Sequence, residues 1–99
     1  MMIFTEDMLN ELSEVFPELT PAQIEVAMMY SSGMPIADIS GIRKTSQVNT
    51  RKILKECVSA MNISSMNVIY GVIQSRLSIC LLKKINRLET FIIECSSLE

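Results

Sequence analysis

The sequence predicts an all-helical fold, and three observations carry that prediction. Apolar residues recur at three-to-four spacing along most of the chain. Helix-capping signals precede those stretches, and no run alternates apolar and polar residues at the period of a strand. Met, Leu, Ile, Glu and Lys dominate a composition that is 48% hydrophobic. A chain so rich in apolar surface folds rather than remaining a disordered tail. Its 99 residues suit one domain, spanning 1–99, with a modest core.

A first helix is expected over 5–16. Thr5 is its cap, and Glu6 and Asp7 fall in the first turn, where the helix dipole favours acids. Met8, Leu9, Leu12, Val15 and Phe16 form its apolar stripe, and Pro17 ends it. So short an amphipathic helix needs a surface to lie against.

The sharpest local signal follows. Thr20 is an N-cap, Pro21 takes the first helical position, and Gln23 completes a capping box. Leu19 and Ile24 have the spacing of a hydrophobic staple. The helix should run over 21–32, with Gly33 as its left-handed stop. Val26, Met29 and Tyr30 lie on one side, and Ile24, Ala27 and Met28 on another. A helix this apolar is covered on both faces, by the N-terminal helix or by a partner chain.

A short helix over 36–42 comes next, then the polar turn Arg43-Lys44-Thr45, then a longer helix over 47–60 capped by Ser46. Leu54, Cys57, Val58 and Met61 make one apolar stripe on the longer helix. Arg51, Lys52 and Lys55 fall off it, on the exposed side. A short helix, a tight turn and a longer helix with a basic face is the layout of a helix-turn-helix DNA reader.

Asn62-Ile63-Ser64-Ser65 should break that helix and cap another over 65–76, with Met66, Ile69, Tyr70, Ile73 and Leu77 at helical spacing. Gly71 weakens this helix without ending it. A further helical stretch reaches about Cys95. Leu81, Ile85, Leu88, Ile92 and Cys95 follow a 4-3-4-3 spacing, a two-heptad seam, while Lys83, Lys84, Arg87, Glu89 and Glu94 lie off it. So apolar a seam must be buried, either folded back on its own domain or against a second copy. Residues 77–97 thus form a candidate dimerisation helix through Leu81, Ile85, Leu88 and Ile92. Leu98-Glu99 reads as a tag remnant.

Net charge is −2, but it is segregated. Residues 1–25 carry six acids and no base, whereas 41–61 carry Arg43, Lys44, Arg51, Lys52 and Lys55 against Glu56 alone. Cys57, Cys80 and Cys95 have no CxxC spacing and are expected to be reduced thiols. There is no His, which removes the commonest general base and metal ligand. No Gly-rich phosphate loop is present either, so the chain is not expected to be an enzyme or to carry a metal or cofactor. No apolar run is long enough for a membrane span and no secretory signal opens the chain, so a cytoplasmic protein is expected.

With those elements in place, residues 19–66 resemble the LuxR-type helix-turn-helix domain. The family opening Leu-Thr-x-x-Glu-x-Glu-Val is matched by Leu19-Thr20-Pro21-Ala22-Gln23-Ile24-Glu25-Val26. The family Gly after the first helix is Gly33, its Ile-Ala is Ile39-Ser40, and its capping Ser is Ser46. Its apolar ladder falls on Leu54, Cys57 and Met61, and its closing Val on Ile63. The register runs without a gap from Leu19 to Ile63. The chain departs from the pattern at Ala22 and Gln23, where Arg and Glu are usual, and at Arg43 and Thr45, which replace the apolar pair bracketing the turn. The Thr-Val-Lys-x-His signature reads Asn49-Thr50-Arg51-Lys52-Ile53, so Thr50 stands at a buried Val position. Ile42 and Val48 are expected to substitute in packing the turn.

The resemblance implies a LuxR-type bundle with an extra N-terminal helix and a C-terminal helical extension, similar to short stand-alone members. It implies a bacterial transcriptional regulator that binds double-stranded DNA as a homodimer, its core complete by about residue 76. Arg51, Lys52 and Lys55 then meet bases or nearby phosphates, and Asn49 takes a phosphate-contacting position. Ser46 and Gln47 sit at the helix start, where free backbone N–H groups can hold a phosphate. The alternative is an adaptor or anti-activator on the same fold that pairs with another transcriptional regulator and binds DNA weakly or not at all.

Overall fold

The structure, a computed structural model, describes residues 4–97. The tag remnant expected at Leu98-Glu99 lies outside the described residues. Among them there are five helices and no strand: α1 (Glu6–Val15), α2 (Pro21–Ser31), α3 (Ile36–Arg43), α4 (Gln47–Met61) and α5 (Asn67–Ser97). The all-helical expectation therefore holds.

Local chemistry sets the helix ends. Thr5 accepts from the Met8 N–H at 3.2 Å and caps α1. Thr20 accepts from the Gln23 N–H at 3.2 Å, and the Gln23 side chain accepts from the Thr20 N–H at 3.0 Å. That reciprocal pair is the expected capping box. At the other end of α2, Met34 N–H donates to the Met29 carbonyl and Gly33 N–H to the Tyr30 carbonyl. This double bond pattern needs a left-handed residue between, and Gly33 supplies it at φ 93°. Lys44 and Asn62, each at φ 55°, close α3 and α4 in the same way.

α2 is the central helix. It packs against α1, α3, α4 and α5, which explains why it is apolar most of the way round. Ile24, Val26, Ala27 and Met29 are all buried there. Each large side chain of this kind contributes about 1.5–3 kcal/mol on burial. A cap contributes about 1 kcal/mol. The caps therefore place the helix ends, and enclosure of α2 supplies most of the stability. Leu9 and Phe16 of the α1 segment, Leu19 before α2, Ile39 of α3, Leu54, Cys57 and Met61 of α4, and Ile69 and Ile73 of α5 complete the core.

Polar groups enter this core in pairs. Thr50 and Ser40, both departures from the LuxR-type pattern, meet at 2.7 Å between hydroxyls in the interior. Ser40 Oγ also reaches the Ile36 carbonyl and Thr50 Oγ1 the Ser46 carbonyl, so both hydroxyls are satisfied. Each hydroxyl has a carbonyl acceptor in its own helix, and the bond between the two joins α3 to α4.

Several expectations are corrected. Val48 does not pack the turn: it is 75% exposed, because it lies on the opposite side of α4 from Thr50 and Leu54. Ile42 does lean on the core. Met8 and Tyr70 are exposed, since the neighbouring Leu9 and Ile69 take the inward positions. The two stretches expected over 65–76 and to Cys95 form one unbroken helix, α5, which starts at Asn67. Gly71 sits in open space within it and requires no close approach. The seam does not fold back. From Leu81 to Ser97 every residue of α5 is exposed, which gives a projecting segment about 25 Å long.

Candidate nucleic-acid interface

The stripe Thr50, Leu54, Cys57 and Met61 turns one side of α4 inward, against α2 and α3. The same 4-3-4 spacing on the opposite side gives Val48, Lys52, Lys55 and Ser59, with Arg51 beside them, and all of these are exposed. A shallow depression runs along this face, lined by Val48, Arg51, Lys52, Lys55, Glu56, Ser59 and Ala60. The helical period thus converts one apolar stripe into one basic face.

The start of α4 is equally open. Ser46 accepts from the Asn49 N–H at 3.0 Å and fixes the first turn. The N–H groups of Gln47 and Val48 have no partner within the helix. Asn49 Nδ2 donates to Thr45 Oγ1 at 2.9 Å, which holds its amide at the turn. Ser46, Gln47, Asn49, Arg51, Lys52 and Lys55 are all exposed on or beside one helix face, and for Arg51, Lys52 and Lys55 the helical spacing predicts that exposure.

The electrostatics follow from which charges are already paired. Among the described residues, no salt bridge engages Arg51, Lys52 or Lys55. Glu56, the acid nearest in sequence, accepts from Gln23 Nε2 at 3.3 Å and is drawn toward α2. The acids of α1, Glu6, Asp7, Glu11 and Glu14, are all exposed, on a helix that packs on α2 and α5. The exposed acids of α1 and the exposed bases of α4 thus sit on different elements, while Glu18 and Glu25 of the acidic stretch are paired with Arg76 and Arg43.

Arg43 behaves differently from the other cations. Its Nη1 lies 3.1 Å from Glu25 Oε1, and both side chains are largely buried. Its Nε is buried without a partner, so the pair is incompletely satisfied. Counting Arg43 with the exposed bases and Glu25 with the exposed acids misses this pair. The flanking Ile24, Val26 and Ala27 carry a signal that Glu25 is buried, but no spacing links it to Arg43 across 18 positions.

Cys57 sits behind the basic face. Burial first, and the charge of Glu56 second, push its thiol up to about 11. It donates weakly to the Gln23 carbonyl at 3.6 Å and is a core residue rather than a nucleophile. No group of His, Cys, Asp or Glu among the described residues is arranged to hold a metal ion, and no helix there is long and apolar enough to cross a membrane.

The four candidate dimerisation residues, Leu81, Ile85, Leu88 and Ile92, lie far from this face on the projecting part of α5 and are 42–60% exposed. Comparisons with protein-family models, with curated proteins and with solved structures find no match to this chain.

Proposed function

We propose that this chain is a LuxR-type, sequence-specific transcriptional regulator that reads the major groove of double-stranded DNA through α4, as a homodimer in the cytoplasm of a bacterium. The observation that carries the reading is the unpaired basic face of Arg51, Lys52 and Lys55, directly behind the buried stripe of the same helix. A helix of 15 residues is about 22 Å long, and the major groove, about 12 Å wide, admits an α-helix. Ser46, Gln47 and Asn49 at its start meet a phosphate through side chains and free N–H groups. Arg51 bonds guanine O6 and N7, Val48 meets a thymine methyl, and Lys52 and Lys55 add phosphate contacts with a salt-dependent contribution.

The test is selection of bound fragments from genomic DNA, followed by gel shifts at several salt concentrations. Arg51→Ala should cost about 1–3 kcal/mol of specific binding and relax one base position. Lys55→Ala should weaken all sequences alike and flatten the salt slope. If Arg51→Ala and Lys52→Ala both bind like the parent, α4 is not the reading helix.

A second reading rests on the acidic α1 and the bare apolar length of α5, which together suit an adaptor that pairs with another transcriptional regulator. It requires that no genomic fragment be retained above nonspecific DNA.

A further inference from the structure

We propose that the projecting half of α5 pairs with the same segment of a second copy, as a parallel, in-register, two-stranded coiled coil. This deepens the dimeric part of the reading above by naming the partner, the face and the direction. It does not depend on DNA contact.

The 4-3-4-3 spacing assigns Leu81, Leu88 and Cys95 to the d positions and Ile85 and Ile92 to the a positions. β-branched residues at a with Leu at d are the combination that favours two parallel strands, because each side chain then fits the hole that the partner helix offers at that level. On the single chain, Leu81, Ile85, Leu88 and Ile92 are exposed, and no other element covers them.

Charge complementarity selects the direction. Lys84 falls at a g position and Glu89 at the following e position. In a parallel pair, g of one strand lies beside the next e of the other, so Lys84 meets Glu89 of the second copy on both sides of the seam. The preceding g position, Leu77, packs against the core of its own domain and brings no charge to the seam. An antiparallel pair sets g beside g and e beside e. The g residues are then Leu77, Lys84 and Phe91, with no acid among them, and the e residues Leu82, Glu89 and Ser96, with no base. Only the parallel arrangement gives both charges a partner. Within the chain, Lys84 has only a 3.9 Å approach to Glu11, with both side chains largely exposed, so it is available to a better partner.

Two heptads are short for an isolated coiled coil, since a free peptide must first nucleate its helix. Here the helix is already nucleated. Ile69 and Ile73 are buried, and Arg76 donates to Glu18 through Nη1 and Nη2 and stacks over Phe16. The folded domain thus presents a preformed strand.

The experiment is sedimentation equilibrium on the full chain at micromolar concentration, with charge-swap variants and thiol cross-linking. The expected mass is twice the 11.1 kDa of one chain. Ile85→Asp with Ile92→Asp should give the single-chain mass with a cooperative helical melt retained, because both residues are exposed on the single chain. Lys84→Glu should raise the dimer dissociation constant several-fold, and Lys84→Glu with Glu89→Lys should restore it. Mild oxidation with diamide, which takes up two electrons and two protons per disulfide, should link Cys95 to Cys95 between copies, and Cys95→Ser should abolish the link. A parent chain of single-copy mass overturns the proposal, as does a trimer or tetramer. A dimer with neither charge-swap rescue nor the Cys95 link overturns the parallel direction. A monomer that still binds selected DNA sinks the pairing alone. A dimer indifferent to Arg51→Ala and Lys52→Ala sinks the DNA reading alone.

Discussion

The two halves of α5 are alike in sequence and opposite in fate. Both carry Ile and Leu at three-to-four spacing within one continuous helix. In the first half, Ile69 and Ile73 are buried against α2 and the core. In the second half, Leu81, Ile85, Leu88 and Ile92 stand in solvent. The boundary is Arg76, whose Nη1 also reaches the Val15 carbonyl at 3.3 Å at the end of α1. Beyond it Leu77 and Cys80 are still half-buried and Lys84 reaches Glu11 at 3.9 Å, but from Leu81 onward the described residues offer the apolar seam no covering surface. Apolar spacing thus reports that a helix face will be covered, while the lengths of its neighbours decide by what.

Truncating one isoleucine to alanine in each half tests the comparison most severely. Ile73→Ala should lower stability by about 2–5 kcal/mol, as for other fully enclosed aliphatic side chains. Ile85→Ala should leave the unfolding free energy of the dilute single chain within about 0.5 kcal/mol. Chemical denaturation below the concentration of self-association checks both. A large loss from Ile85→Ala under those conditions would mean that the outer half packs on its own domain.

The thiols sharpen the same contrast. Cys57 ionises near 9.0 when unfolded and at about 11 when folded, so above pH 9 the unfolded chain sheds a proton that the folded chain keeps. Its contribution is fully present below pH 9 and is lost as pH rises toward 11. The loss is at most about 2–3 kcal/mol. Cys57→Ala should flatten that part of a stability–pH curve. On the dilute, folded single chain, exposed Cys95 should instead react quickly with a thiol reagent, while Cys57 waits for unfolding.

The charged contacts at the boundary come next. Arg76→Ala removes a two-pronged bond to Glu18, a carbonyl contact and a ring stack, and should cost about 1–2 kcal/mol. The smallest effect belongs to the outer half. Glu11→Gln breaks only the exposed approach to Lys84 and should change stability by less than about 0.5 kcal/mol. Thermal melts of both variants at low concentration rank the two contacts. Equal losses would erase the boundary at Arg76.

What the sequence by itself determined is local. Thr5, Thr20 and Ser46 cap the first, second and fourth helices, and Gly33 stops the second, because those signals act over three or four residues and need no partner elsewhere. The exposure of Arg51, Lys52 and Lys55 is legible for the same reason: one apolar stripe on α4 defines the opposite face. Tertiary structure decided everything that depends on residues distant in the chain. It paired Glu25 with Arg43 and Ser40 with Thr50. It turned Val48 outward, where the turn had been expected to enclose it. It also ran α5 straight past the end of the domain, because backbone hydrogen bonds continue a helix without regard to what its side chains will meet. Burial is a property of neighbours, and a stripe of Leu and Ile cannot say whether its neighbour belongs to the same chain.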